Sequence, residues 1–165
     1  MTLLIQKFKC MSPRYITSYG AKYDCAVVAF MNALKFQGKR ITHKGHYKKI
    51  CKELGYISGV GVYTSKSLQV AKKYGFTRIY KASGNKVADV LLNGDGCLIR
   101  LEVETFDGEN SGHMIFVGGI ARWGNSVSFQ LTGHRGRHDF WGFENFNEMY
   151  RSWNLHSAWK VPFVG

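Results

Sequence analysis

The arrangement of apolar and polar positions divides the chain into a helical first half and a strand-rich second half. Residues 25–36 are apolar on almost every side, which is typical of a helix surrounded by protein. Residues 42–54 place lysines on one side, and residues 64–74 follow Thr64 or Ser65 as a capping residue. Each of these three segments is followed by a glycine that predicts the end of a helix. A further short helix is predicted over residues 85–92.

Beyond the strong turn signal at residues 93–96, the pattern changes to the alternation expected of strands. The predicted strands are residues 2–8, 97–104, 113–120, 126–132 and 158–163, and residues 144–153 predict one more helix. We find no internal repeat and no linker, so we expect residues 1–165 to form a single domain with a sizeable core. Because helices precede an antiparallel sheet, the order of elements predicts an α+β fold.

Positive charge is concentrated in the helical half. The formal net charge is +12, and residues 25–88 contain thirteen Lys or Arg but a single acid, Glu53. This balance favours an acidic partner, either nucleic acid or an acidic protein, although a solvated helical surface explains it equally well. The candidate anion-binding residues are Lys44, Lys48, Lys49, Lys52, Lys72 and Lys73.

The sequence shows no membrane span and no signal peptide. We therefore expect a cytoplasmic protein, and its small size and basic character suggest a phage or viral protein in the host cytoplasm. Without a secretion signal, the four cysteines are expected to be free thiols. No C-x-x-C pair indicates zinc, and the glycines around His134, His138 and Asp139 argue against a metal there. No cofactor is implied.

Cys25 and His113 are the candidates for chemistry. Asp24 is a good N-cap residue, and a thiol at the first helical position lies in the positive field of the helix dipole, which favours the thiolate. His113 follows a glycine-containing loop and begins the most apolar strand, where an imidazole could exchange a proton with a thiol. The alternatives are a small core cysteine and a strand-end histidine bonded to backbone.

Several segments resemble papain-like cysteine peptidases, most closely the branch of bacteriocin leader-processing (double-glycine) peptidases. The matching segments are residues 24–29, 61–76, 112–120 and 127–131, within a resemblance that covers roughly residues 18–132. The resemblance implies a papain-like α+β fold in which the cysteine helix packs on an antiparallel sheet. It also implies a thiol-dependent hydrolase acting on a peptide or protein substrate or a related amide, with Cys25 as nucleophile and His113 as general acid and base.

Two positions depart from the family pattern. The glutamine expected six residues before the cysteine is Tyr19, so the oxyanion would be stabilised by the Cys25 amide with help from Tyr19. The residue expected to orient the histidine is replaced, and Gln130 is preferred over Thr132 for that role. The alternative hypotheses are a catalytically degraded scaffold whose basic face binds nucleic acid or an acidic protein, and a related cell-wall amidase.

Overall fold

The computed structural model describes residues 3–5, 24–104, 110–123, 126–132, 142–145, 148 and 154–163. The helices are α1 (Cys25–Phe36), α2 (His43–Leu54), α3 (Thr64–Lys73) and α4 (Gly84–Leu92). The strands are β1 (Leu3–Ile5), β2 (Thr77–Arg78), β3 (Gly96–Glu104), β4 (Asn110–Trp123), β5 (Ser126–Thr132), β6 (Gly142–Asn145) and β7 (Asn154–Val161).

The strands form one antiparallel sheet in the order β2-β7-β3-β4-β5-β6, and β1 pairs with β4 outside that path. Helix α1 packs against β3 and β4 at the centre of the sheet, with α2 beside it. The predicted α+β fold, with a buried cysteine helix on an antiparallel sheet, is confirmed. Within the described ranges, no helix has the length and apolar character needed to cross a membrane.

Each face of the central strands belongs to a different hydrophobic core. Successive side chains of a strand point to opposite faces, so residues two apart share a face. Leu98, Met114 and Phe116 pack with the buried residues of α1, whereas Ile99 and Ile115 pack in a second core with α4. This assignment determines which strand side chains can reach Cys25.

Helix α1 fits the sequence prediction closely. All of its residues from Ala26 to Leu34 are buried, as an almost uniformly apolar helix requires. It ends at Phe36, and Gly38 follows with a φ of 86°. Helix α2 begins after Thr42, whose hydroxyl accepts a hydrogen bond from the Gly45 amide at 3.1 Å.

Three local predictions were wrong. The helix predicted over residues 144–153 does not begin at Glu144, because Gly142–Asn145 pairs with β5 as a strand; of the following residues up to 153, only Glu148 is described. The last strand starts at residue 154, four residues before the predicted start. The N-cap position of α3 is Tyr63, without a side-chain cap bond, and not Thr64 or Ser65. In the first two cases, pairing with a neighbouring strand outweighs the local pattern.

Candidate functional site

Cys25 lies at the first position of α1 and lines a small cavity of about 70 Å³. The cavity is bounded by α1, by the residues before α3 and by β3 and β4. Its lining residues are Cys25, Ala26, Val60, Gly61, Val62, Arg100, Gly112 and Met114. The thiol is therefore partly buried but opens to a space that a ligand group of a few atoms could occupy.

Burial controls the ionisation of this thiol. It raises the pKa of Cys25 above the ordinary value, and the negative charge of Asp24 acts in the same direction. The backbone amides of Met114 and Ala26 and the charge of Arg100 lower this pKa, but they do not reverse the effect of burial. The helix end still favours the thiolate through the Ala26 amide, but the removal of water from the sulfur outweighs this contribution, so the pKa of Cys25 lies above its ordinary value.

Asp24 occupies the N-cap position without capping the helix through its side chain. Its carboxylate, 1% exposed, accepts a hydrogen bond of 3.0 Å from the Tyr47 hydroxyl of α2. The predicted side-chain cap was therefore wrong, since the carboxylate is used by a tertiary contact. That contact joins the N-terminal end of α1, and hence Cys25, to α2.

His113 lies on β4 in register with Leu101 of β3. Leu101 belongs to the core shared with α4, whereas Gly112 and Met114, on either side of His113, line the cavity. By strand alternation the His113 imidazole projects from the sheet face opposite to Cys25. The structure does not bring the two side chains together, and burial lowers the pKa of His113.

Gln130 is buried on β5 and is in register with Gly119 of β4. Gly119 is six residues from His113 along β4, which corresponds to roughly 20 Å of strand. The structure therefore does not bring Gln130 to the imidazole that it was predicted to orient. Tyr19, the predicted oxyanion residue, lies outside the described residues.

Arg100 is a site residue that the sequence reasoning missed. The alternation of residues 97–104 predicted a strand, but it did not indicate that Arg100 faces the cysteine helix. Leu98 is fully buried against α1, and Arg100, two residues later, shares its face and lines the cavity. The signal in the sequence was that Arg100 is the one basic residue between positions 89 and 110.

A second imidazole lies on the cavity side of the sheet. The register between β3 and β7 shifts at His156, because Arg100 pairs with Ser157 and Leu101 pairs with Leu155. The Nδ1 atom of His156 is 3.2 Å from the Ser157 hydroxyl, and Nε2 is 4.0 Å from a carboxylate oxygen of Glu102. A bulge typically redirects a side chain in this way, and the strand pattern did not predict it.

The candidate anion-binding lysines are all exposed. Between α2 and α3 there is a groove of about 400 Å³ lined by Lys52, Lys66 and Lys73 together with Glu53. Glu53 accepts hydrogen bonds from Tyr74 and, at 3.3 Å, from Lys73. Anion binding by this surface stays a prediction.

The remaining candidates for metal or thiol chemistry are described only in part, and the described ones form no metal-binding group. In the described part of the chain, no three His, Cys, Asp or Glu side chains are grouped as they would be around a metal ion; His134, His138 and Asp139 lie outside it. Cys25, Cys51 and Cys97 are free thiols, and Cys97 is completely buried in the core shared with α4.

With the cysteine helix packed on the antiparallel sheet, the architecture is that of a papain-like fold. The chain is structurally similar to a crystallised protein of Bacillus anthracis described as a C39-like peptidase. The TM-score is 0.55, the sequence identity is 15%, and the alignment covers 92% of this chain and 95% of the other. No sequence-family model matches the chain, and no curated protein matches it.

Proposed function

We propose that the protein is a thiol-dependent hydrolase that cleaves a peptide bond or a related amide, with Cys25 as the nucleophile. The observation that carries the proposal is the position of Cys25. It begins the buried helix of a fold shared with a C39-like peptidase, and its sulfur lines a cavity and receives a hydrogen bond from the Met114 amide.

In the proposed reaction the Cys25 thiolate attacks the carbonyl carbon and forms a tetrahedral intermediate. The Cys25 amide, assisted by Tyr19, stabilises the oxyanion. Collapse of the intermediate expels the amine, which takes up a proton, and leaves a thioester on Cys25 that water then hydrolyses.

The walls of the cavity support a substrate with little side-chain bulk at the cleaved bond. Ala26, Gly61 and Gly112 line a space of only about 70 Å³. We therefore propose a peptide cleaved after small residues, in keeping with the resemblance to the double-glycine branch.

Two histidines are candidates for exchanging the proton. His113 is the residue implied by the family resemblance, and it would act only if its ring reached the cavity side of β4. His156 already lies on that side, beside Glu102 and next to the partner of Arg100 in the sheet. We propose that one of these two histidines is the general acid and base.

The test is hydrolysis of a panel of short peptides, including a pair of glycines at the scissile position, by variants of the two groups. Cys25→Ser should lower kcat/KM by about a thousandfold or more, whereas Cys97→Ala, the control, removes a thiol from the core shared with α4 and should leave it unchanged. Of His113→Gln and His156→Gln, the variant that loses on the order of a hundredfold in kcat identifies the acid–base residue. Hydrolysis that persists in Cys25→Ser would refute the proposal, and the absence of hydrolysis in the unmodified protein would favour the degraded scaffold.

A further inference from the structure

We infer that Arg100 is the electrostatic partner of the Cys25 thiolate, so that the cavity holds a thiolate–guanidinium pair. This inference rests on the proposed function in assigning Cys25 as the reactive group, but it concerns how the thiol is ionised and not which bond is cleaved. Arg100 would be a positioning residue that acts through the sulfur.

The first support is the position of Arg100. It lies on β3 opposite Met114 of β4, and the amide of Met114 donates a hydrogen bond to the Cys25 sulfur. Arg100, Met114 and Cys25 line the same cavity. A cation on one wall of so small a cavity is close enough to act on an anion formed on another.

The second support is Gly112, which makes room for the guanidinium. A Cβ atom at Gly112 would lie 2.8 Å from Cζ of Arg100 and closer still to one of its terminal nitrogens. The guanidinium therefore lies directly against the β4 backbone. Gly112 is not among the glycines with positive φ, so the absent side chain is required for space and not for backbone conformation.

The third support is the balance of charges around the sulfur. Burial and the charge of Asp24 raise the pKa of Cys25, and the Tyr47 hydroxyl that bonds to Asp24 stays neutral because burial and Asp24 raise its own pKa. His113 faces the opposite side of the sheet, and Glu102 lies beyond Arg100, with which it interacts. Among the described residues that line the cavity, Arg100 is therefore the one cation.

Ionisation of Cys25 is a simple loss of one proton. The S–H bond of Cys25 breaks, its proton passes to water, and the electron pair stays on the sulfur as the thiolate. The guanidinium keeps all its protons because arginine is not deprotonated in proteins. Its charge partly offsets the cost of forming an anion in a site from which water is largely removed.

The experiment measures the pH midpoint for alkylation of Cys25 by iodoacetamide, with each cysteine resolved by peptide mass spectrometry. The variants are Arg100→Met, which removes the charge, Arg100→Lys, which keeps it, and Gly112→Ala, which displaces the guanidinium. Arg78→Met, at an exposed position of β2, is the matched control.

The midpoint in Arg100→Met should rise by about one pH unit, which is about tenfold less thiolate at any pH well below it. Gly112→Ala should shift the midpoint in the same direction, Arg100→Lys should shift it less, and Arg78→Met should not shift it. The midpoint is used instead of the rate at one pH, because a thiolate of higher pKa is intrinsically more nucleophilic.

An unchanged or lowered midpoint in Arg100→Met would overturn the inference. Continued protection of the buried Cys97 reports that each variant is folded; if Arg100→Met does not fold, an unchanged midpoint in Gly112→Ala overturns it instead. The titration uses no substrate, so its result is separate from that of the hydrolysis assay. A shifted midpoint without hydrolysis supports the thiolate–guanidinium pair alone, and Cys25-dependent hydrolysis with an unshifted midpoint refutes only the pair.

Discussion

At the scale of single residues, the hydrogen bond from Tyr47 to Asp24 fixes the helix end that carries Cys25. The Asp24 carboxylate is 1% exposed, so water cannot replace a lost donor. The bond also affects the donor: burial and the nearby Asp24 carboxylate raise the pKa of Tyr47, so it stays a neutral donor over the physiological range.

Tyr47→Phe should therefore lower the free energy of unfolding by about 1.5–3 kcal/mol, the usual range for a hydrogen bond to a charged group. The measurement is urea unfolding at neutral pH. Tyr63→Phe is the matched control, because Tyr63 is 61% exposed and should change stability little. Equal losses in the two variants would show that the contact with Asp24 contributes nothing specific.

Two site residues show which features of the site the sequence can predict and which it cannot. The place of Cys25 at the first position of α1 followed from the apolar run and the acid before it, because both signals are local. The direction of the His113 side chain did not follow, because it depends on register: only the pairing of Leu101 with His113 and the burial of Met114 against α1 decide it. Where every residue of a strand is apolar, alternation cannot indicate which face a residue takes.

At the scale of elements, Gly96 of β3 and Gly112 of β4 differ in what a side chain at each position would displace. A Cβ atom at Gly96 would lie 2.8 Å from the Phe116 ring and 3.2 Å from the Phe36 ring. Both phenylalanines are completely buried, so neither ring can move aside without disturbing the packing of α1 on β3 and β4. At Gly112 the group displaced is the end of a flexible arginine.

Gly96→Ala should therefore destabilise the protein by about 1–3 kcal/mol, as overpacking of a core does, while Gly112→Ala should cost much less. Thermal and urea unfolding of both variants measure the difference. If Gly112→Ala lost more stability than Gly96→Ala, Arg100 would be held rigidly and could not move aside.

The helices could be predicted from their own residues, whereas the short strands could not. The four helices were predictable because each combines a local apolar pattern with a terminating residue, and Thr42 and Ser83 cap α2 and α4 through their hydroxyls. Strand β6 was not predictable, since four residues give too short a pattern and its conformation depends on pairing with β5. Strand β2, with two residues, forms for the same reason beside β7.

At the scale of the whole molecule, the sheet separates two cores, and the chain carries a formal net charge of +12. Lys44, Lys48 and Lys52 are four residues apart on α2 and are all exposed, so they form a single row of like charges. Such neighbours repel one another by a few tenths of a kcal/mol for each pair. The lysine row therefore does not stabilise the helix. Its binding to polyanions can be measured directly.

If the basic face of α2 and α3 contacts phosphates, the double variant Lys48→Gln/Lys52→Gln should weaken binding to duplex DNA and reduce the slope of log K against log salt by about two. The matched control is Lys81→Gln/Lys86→Gln, which removes the same charge at and just before α4, away from this face. Hydrolysis that depends on Cys25 should be the same in both variants, and relief of repulsion in the row should leave the α2 variant no less stable. Equal reductions in slope would show that the net charge, and not this face, attracts the polyanion.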